Sequence, residues 1–220
     1  MKNILCITVS RIKDGGKLEY NQNLGAENNF LVYEAMSEIV IHSAKHFIKE
    51  DFDVHVIRSE VNSYQEIFDT NFQKVYDLWN PEEPNNILYL DGDTLVTNQV
   101  EVFGKYSNFQ MFNYTARRSL PATENKYGLG FEHYFNAGIR YYPATMKQEV
   151  WDTGWQYAKD WDYGFWGTEQ AIFNEMMYSQ NSDHKHWLKP EMGFQVIGIP
   201  VQKIKQPAVI KQMEDWNNSN

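Results

Sequence analysis

Along the first ninety residues, short saturated apolar runs alternate with longer stretches in which apolar positions recur at helical spacing. Ile4–Val9 is brief and apolar and predicts a buried first strand. Ser10–Asn29 is polar and glycine-bearing, and reads as a loop at that strand's carboxyl end. A helix is predicted from about Asn28 to Lys49, with Met36, Ile39, Val40, Ser43, Ala44 and Phe47 on one face. Asp53–Arg58 predicts a second strand. Ser63-Tyr64-Gln65-Glu66 has the form of a capping box. The helix behind it carries Ile67, Phe68, Phe72, Val75, Tyr76 and Trp79, and Pro81 and Pro84 end it. Ile87–Leu90, entered through Pro84-Asn85-Asn86, predicts a third, fully buried strand. This order of elements is that of an α/β protein with a parallel, helix-covered sheet.

The second half is less regular. Phe109–Tyr114 and His133–Tyr142 predict strands, and Thr115–Gly130 between them a polar loop. Thr145-Met146-Lys147-Gln148 has the pattern of a second capping box, ahead of a helix with Trp151, Trp155 and Ala158 on one face. Thr168 starts a further helix carrying Glu169, Gln170, Ile172, Phe173 and Met176. The Trp151/Trp155 and Met176/Tyr178 faces are expected in the core. From Gln180 the tail reads as irregular, with apolar patches at Phe194–Ile199 and Ala208–Ile210. No repeat or linker divides the chain. One domain is expected over 1–220, with a nucleotide-type half over about 1–105 and an acceptor-type half over about 106–220.

The third predicted strand runs straight into Asp91-Gly92-Asp93. In open α/β sheets ligands sit beyond the carboxyl ends of strands. Gly92 is expected to let the backbone turn there, so that both carboxylates face one point. Two hard oxygen donors suit Mg²⁺ or Mn²⁺, and such an ion suits a diphosphate. Asp51-Phe52-Asp53 and Asp160-Trp161-Asp162 have the same spacing, but the first precedes its strand and the second follows a helical pattern. Arg117, Arg118, Arg140 and Lys74 are candidate diphosphate partners, each with an exposed or ion-paired role as the plainer alternative.

Composition narrows the partners. A net charge of −9 leaves no broad basic surface for nucleic acid or anionic membrane. Aromatic residues make up 15% of the chain; some suit sugar faces, but most are expected in the core. Cys6 is the single cysteine and reads as a small buried hydrophobe, so no disulfide forms within one chain. No run is long enough to span a membrane, and Met1–Val9 reads as a strand rather than a signal peptide. A reducing, cytoplasmic setting is the expectation.

The chain resembles a known family in three places. Leu88-Tyr89-Leu90-Asp91-Gly92-Asp93-Thr94-Leu95-Val96 resembles the metal motif of GT-A-fold glycosyltransferases, above all family eight, the glycogenin and bacterial galactosyltransferase type. Tyr134-Phe135-Asn136-Ala137-Gly138-Ile139 is similar to its Phe-Asn-Ala/Ser-Gly strand. Gly167-Thr168-Glu169-Gln170-Ala171-Ile172-Phe173-Asn174 is similar to its Asp-Gln-x-x-x-Asn helix start. The three stand in the family's order, and the resemblance covers roughly residues 1 to 180.

The resemblance implies a Rossmann-like GT-A fold with a mostly parallel sheet. It implies metal-dependent transfer of a sugar from a nucleotide diphosphate sugar, a UDP-hexose being expected, to an unknown acceptor (a glycan, lipid, protein or nucleobase). Asp93 is then the direct metal ligand, and Asp91 shares the metal or the ribose. Thr8 and Ser10 lie near the nucleotide, Asn136, Ala137 and Gly138 line the sugar pocket, and Gln170 sits by the reacting carbon. Glu169 stands where the family has Asp and suits sugar hydroxyls, at a helix N-terminus that favours its ionised form. Retention is expected, but Phe165-Trp166-Gly167-Thr168-Glu169 is also similar to the Trp-Gly-x-Glu-Asp segment of inverting galactosyltransferases, so stereochemistry stays open. Lys211 stands where the family has a C-terminal metal-binding His; it suits a phosphate rather than a metal, and His184 and His186 are possible substitutes.

Two other readings stand beside this one. Asp91-Gly92-Asp93-Thr94 is similar to the Asp-x-Asp-Gly-Thr of haloacid-dehalogenase-type phosphatases, except that glycine lies between the aspartates and the motif is mid-chain. A non-catalytic sugar-nucleotide or glycan-binding protein on the same fold is the second, favoured by Lys211 in place of His.

Overall fold

The computed structural model describes residues 1–13, 26–112, 135–160, 168–180 and 194–196. A five-stranded sheet forms its centre, in the order β2-β1-β3-β6-β5. The strands are β1 (Asn3–Ile12), β2 (Asp53–Val61), β3 (Asn86–Leu90), β5 (Gln110–Phe112) and β6 (Asn136–Tyr142). β4 (Thr94–Val96) and β7 (Phe194–Val196) make a separate two-stranded sheet. The helices are α1 (Ala26–Phe47), α2 (Tyr64–Trp79), α3 (Gln148–Asp160) and α4 (Thr168–Ser179).

β1 pairs with β2 and β3 in parallel, as the order of elements predicts. β6 runs antiparallel to both β3 and β5, so the sheet is mixed, with one reversed strand among five. Hydrophobic pattern fixes which face a residue takes, not which way its strand runs.

Alternation along each strand supplies two cores. Leu5, Ile7, Leu88, Leu90, Ile139 and Tyr141 meet Val40, Ile41 and Ala44 of α1 on one face. On the other, Ile4, Cys6, Ile87, Tyr89 and Tyr142 meet α2, α3 and α4 through Phe72, Trp79, Trp151 and Phe173. This second core is largely aromatic. Tyr142 stacks on Trp151 at 4.9 Å and 6°, and the Trp79 indole N–H donates to the Pro143 carbonyl at 3.0 Å. Trp151 and Met176 are fully buried and Trp155 packs against them, as their helical spacing predicts. Burial pushes the Cys6 thiol up to about 12, so it stays a neutral apolar filler.

Three expectations are corrected. Ser10–Ile12 continue β1 instead of opening a loop, paired with Ser59–Val61 of a longer β2. The Ser10 side chain is satisfied inside the fold. The Asn71 amide of α2 donates to Ser10 Oγ at 3.1 Å, Ser10 and Ser59 hydroxyls lie 2.8 Å apart, and Ser59 donates to Asn71 Oδ1 at 3.3 Å. Those three bonds form a closed ring when Ser10 gives its proton to Ser59.

The second correction concerns caps. Ser63 caps α2, accepting from the Glu66 N–H at 3.2 Å, but the Glu66 carboxylate reaches back one residue further, to the Asn62 N–H at 2.7 Å. Thr145 does not cap α3 at all: its hydroxyl donates to the Ser107 carbonyl at 2.8 Å, and Gln148 is already the first helical residue. The hydroxyl is turned toward a tertiary carbonyl acceptor instead of a helix N–H donor. Third, part of the tail is regular. Phe194–Val196 pair with Val96–Thr94, which brings this segment back beside the acidic turn. The remaining expectations for 113–134 and for Ala208–Ile210 fall outside the described residues.

Helix α3 reaches the core through Gly154. A Cβ there would lie 2.6 Å from Phe72 Cζ and 2.7 Å from Met176 Sδ, both side chains being buried. Alanine gains about 1 kcal/mol of helix propensity, but overpacking costs about 1–3 kcal/mol. Gly154→Ala is therefore expected to lower the free energy of unfolding in urea; a more stable variant would contradict the close packing of α2, α3 and α4.

Candidate active site

Asp91 follows the last residue of β3, and the chain turns at once. The Thr94 N–H donates to the Asp91 carbonyl at 3.0 Å, closing a four-residue turn that carries both aspartates. The Asp91 N–H donates to the Gly138 carbonyl at 2.7 Å, which fixes the turn to β6. Gly92 does not adopt a left-handed backbone: Gly104 alone does so among the described glycines. Its need for glycine is spatial, because a Cβ would stand 3.1 Å from the Tyr33 ring of α1. Gly138 is likewise not kept small for a sugar alone. A Cβ there would lie 2.7 Å from Asp91 Oδ2 and 2.9 Å from Asn136 Oδ1, so the missing side chain makes room for the Asp91 carboxylate.

Sheet register puts the candidate residues on one face. Cys6, Tyr89 and Arg140 are cross-strand partners. Two residues along each strand, Thr8, Asp91 and Gly138 form the next row on the same face. The Tyr89 hydroxyl bonds to the Asp91 carboxylate and lies 2.7 Å from Thr8 Oγ1. An ionised carboxylate only accepts, so Tyr89 donates to Asp91 and Thr8 donates to Tyr89.

The same network runs on to α4. Asn136 Oδ1 accepts from the Gly138 N–H at 2.8 Å. Gln170 Oε1 accepts from Asn136 Nδ2 and from the Ala137 N–H, both at 3.3 Å. Gln170 Nε2 is buried without a hydrogen-bond partner. Asn174, one turn further on, bonds to both backbone groups of Phe135 at 2.8 and 2.9 Å and sets the start of β6. Asp91, Asn136, Ala137, Gly138 and Gln170 are thus brought together.

Charge is the dominant feature. Burial, then Asp93 and Glu169, push the Asp91 carboxyl up to about 7, against the downward pull of Arg140 and Tyr89. Asp93 is also raised by burial, offset by its own backbone N–H. Arg140 is 2% exposed, with its guanidinium between the Tyr89 ring at 3.8 Å and the Phe173 ring at 3.7 Å. Its Nη1 donates to Glu169 Oε1 at 3.2 Å. Arg140 is therefore an internal cation and no surface partner for a diphosphate. The parts played by Tyr89 and Tyr33 escape the sequence reading, and so does the burial of Arg140, since a buried arginine and an exposed one look alike in sequence.

Other candidates lie elsewhere. Ser10 is occupied by its ring with Ser59 and Asn71. Lys74 donates to the Arg58 carbonyl at 3.1 Å on the outer strand β2. Arg117, Arg118, His184, His186 and Lys211 fall outside the described residues.

The acidic turn fits a divalent cation in part. Among the described residues no third His, Cys, Asp or Glu joins the pair as a ligand cluster. Mg²⁺-type sites commonly use one or two carboxylates, with water and phosphate completing the shell. Burial raises both carboxyls, and the space at Gly138 keeps one of them in place.

No protein-family model matches the chain, and no curated protein does. Among solved structures it is similar to the galactosyltransferase LgtC, determined in complex with donor and acceptor sugar analogs. The two share 12% identity at a TM-score of 0.52, over 99% of this chain and 100% of that one. At that identity the likeness is one of architecture: the chain has the GT-A fold, a mixed five-stranded sheet flanked by helices. Among the described residues no helix is long and apolar enough to cross a membrane.

The raised Asp91 pKa makes stability pH-dependent. The folded state holds this proton more tightly than the unfolded chain, so Asp91 favours folding at low pH. Its contribution is lost as pH rises from about 4 to about 7. In EDTA, Asp91→Asn is expected to match the native protein at pH 4 and to exceed its stability at pH 8 by about 1–3 kcal/mol. Equal stabilities at pH 8 would show that the carboxylate is not held against its preference.

Proposed function

We propose that this protein is a glycosyltransferase that moves a sugar from a nucleotide diphosphate sugar to an acceptor, with a UDP-hexose as the donor. The observation that carries the reading is the pair of aspartates on one closed turn at the carboxyl end of β3 in a GT-A fold. Asp91 and Asp93 would hold Mn²⁺ or Mg²⁺. When bound, that ion neutralises the charge that develops on the departing diphosphate.

The chain's own groups then have distinct tasks. Tyr89 and Thr8 orient the Asp91 carboxylate through consecutive hydrogen bonds. Asn136 and the Ala137 backbone hold the Gln170 side chain by its oxygen, which leaves Nε2 for a substrate oxygen beside the reacting carbon. Glu169 opens α4 with its carboxylate already bonded to Arg140, which suits it to accept from sugar hydroxyls. Lys211 supplies a positive charge for phosphate in this reading. Retention is the outcome we favour, with Glu169 held by Arg140 rather than poised as a base. The whole of 1–220 is read as one domain serving this site.

Calorimetry with UDP, GDP and CDP, with and without Mn²⁺, tests the proposal. UDP is expected to bind tightly only when Mn²⁺ is present, and Asp93→Ala to weaken that binding by more than about 100-fold. Absence of metal-dependent binding for all three would contradict it. Metal-dependent binding of UDP with no turnover of any UDP-hexose, even to water, would favour a non-catalytic binder.

A further inference from the structure

Arg140 stands where strand alternation asks for an apolar side chain. Its neighbours Ile139, Tyr141 and Tyr142 are fully buried, and it is itself 2% exposed. An unpaired guanidinium there would be strongly destabilising. Its surroundings answer that cost in two ways. The Tyr89 and Phe173 rings lie on its two flat faces at 3.8 and 3.7 Å, which fixes its plane. Its edge meets the Glu169 carboxylate at 3.2 Å, in the first turn of α4. Gly138, two residues back on the same strand face, accepts the Asp91 N–H, so the guanidinium lies one row from the acidic turn.

Resting on the transferase reading, we infer that Arg140 is a positioning residue and fixed internal cation: it pins Glu169 at the head of α4 and sets how tightly the acidic turn holds a divalent ion. A cation that cannot swing away opposes a second cation at Asp91 and Asp93. It thereby prevents the two aspartates from trapping the metal. Its aromatic sandwich distinguishes it from a lysine, which has the charge but neither the plane nor the fork.

Mn²⁺ affinity, measured by calorimetry at pH 8 without nucleotide, reads this directly. Arg140→Met is expected to bind Mn²⁺ about tenfold more tightly than the native protein, because one opposing charge is gone. Arg140→Lys keeps the charge and is expected to stay within about threefold of the native value, while losing thermal stability. A purely structural role predicts the opposite sign, weaker Mn²⁺ binding in step with lost stability. Should Arg140→Met not fold, Arg140→Met/Glu169→Gln leaves no charge unpaired and is compared with Glu169→Gln alone; the double variant is expected to bind about tenfold more tightly. Unchanged or weaker binding on loss of Arg140, in a protein whose native form binds Mn²⁺, would overturn this inference and leave the transferase reading intact. A native protein that binds no Mn²⁺ with or without UDP would overturn both.

Discussion

Placing two half-buried carboxylates two residues apart on one turn is the constraint to which the rest of this molecule answers. Each would prefer water to the other's company. The structure holds them by covalent and backbone means: a four-residue turn closed from Thr94 to Asp91, and one N–H bond from Asp91 into β6. Everything that touches the pair is adapted to it. Gly138 gives up a side chain to make room, Gly92 does so for the Tyr33 ring, and Tyr89 supplies a proton to share. Arg140 supplies positive charge, but also spends it on Glu169. The two acids held together at a strand end are the reason to look for an ion from outside.

That arrangement also explains the aromatic core. A buried arginine is tolerable only where rings can cover its faces and a carboxylate can meet its edge. Tyr89 on β3 and Phe173 on α4 provide the rings, and Glu169 on α4 the edge. Phe173 is in turn wedged against Phe68, Phe72 and Phe109. Packing on this side of the sheet therefore sets the position of α4, and through Gln170 and Asn174 the position of the strand that faces the acidic turn. Fold stability and site geometry depend on the same contacts.

Much of this was readable from residue order. The saturated run Ile87–Leu90 followed by two aspartates identifies a buried strand with charge at its exit, and all five strand residues are buried. Asn136, Gly138 and Gln170 were legible as a set, and one hydrogen-bonded network joins them. What escaped was what pattern does not encode. Period-two alternation gives no strand direction, so the reversal of β6 had no signal. Ser10 looked like the start of a loop because its polar partners, Ser59 and Asn71, lie 49 and 61 residues away. Phe194–Val196 looked irregular because a three-residue strand is too short for any period to show.

The likeness to a galactosyltransferase structure, at 12% identity, fixes the architecture and leaves the chemistry to this chain's own residues. The account therefore stands or falls on where an ion sits. Diffraction from crystals soaked in MnCl₂ and UDP, recorded at the manganese absorption edge, locates it most directly. The account predicts a single strong anomalous peak within bonding distance of Asp91 and Asp93 carboxylate oxygens, shared with diphosphate oxygens. Ordered UDP with no such peak between the two aspartates would contradict it.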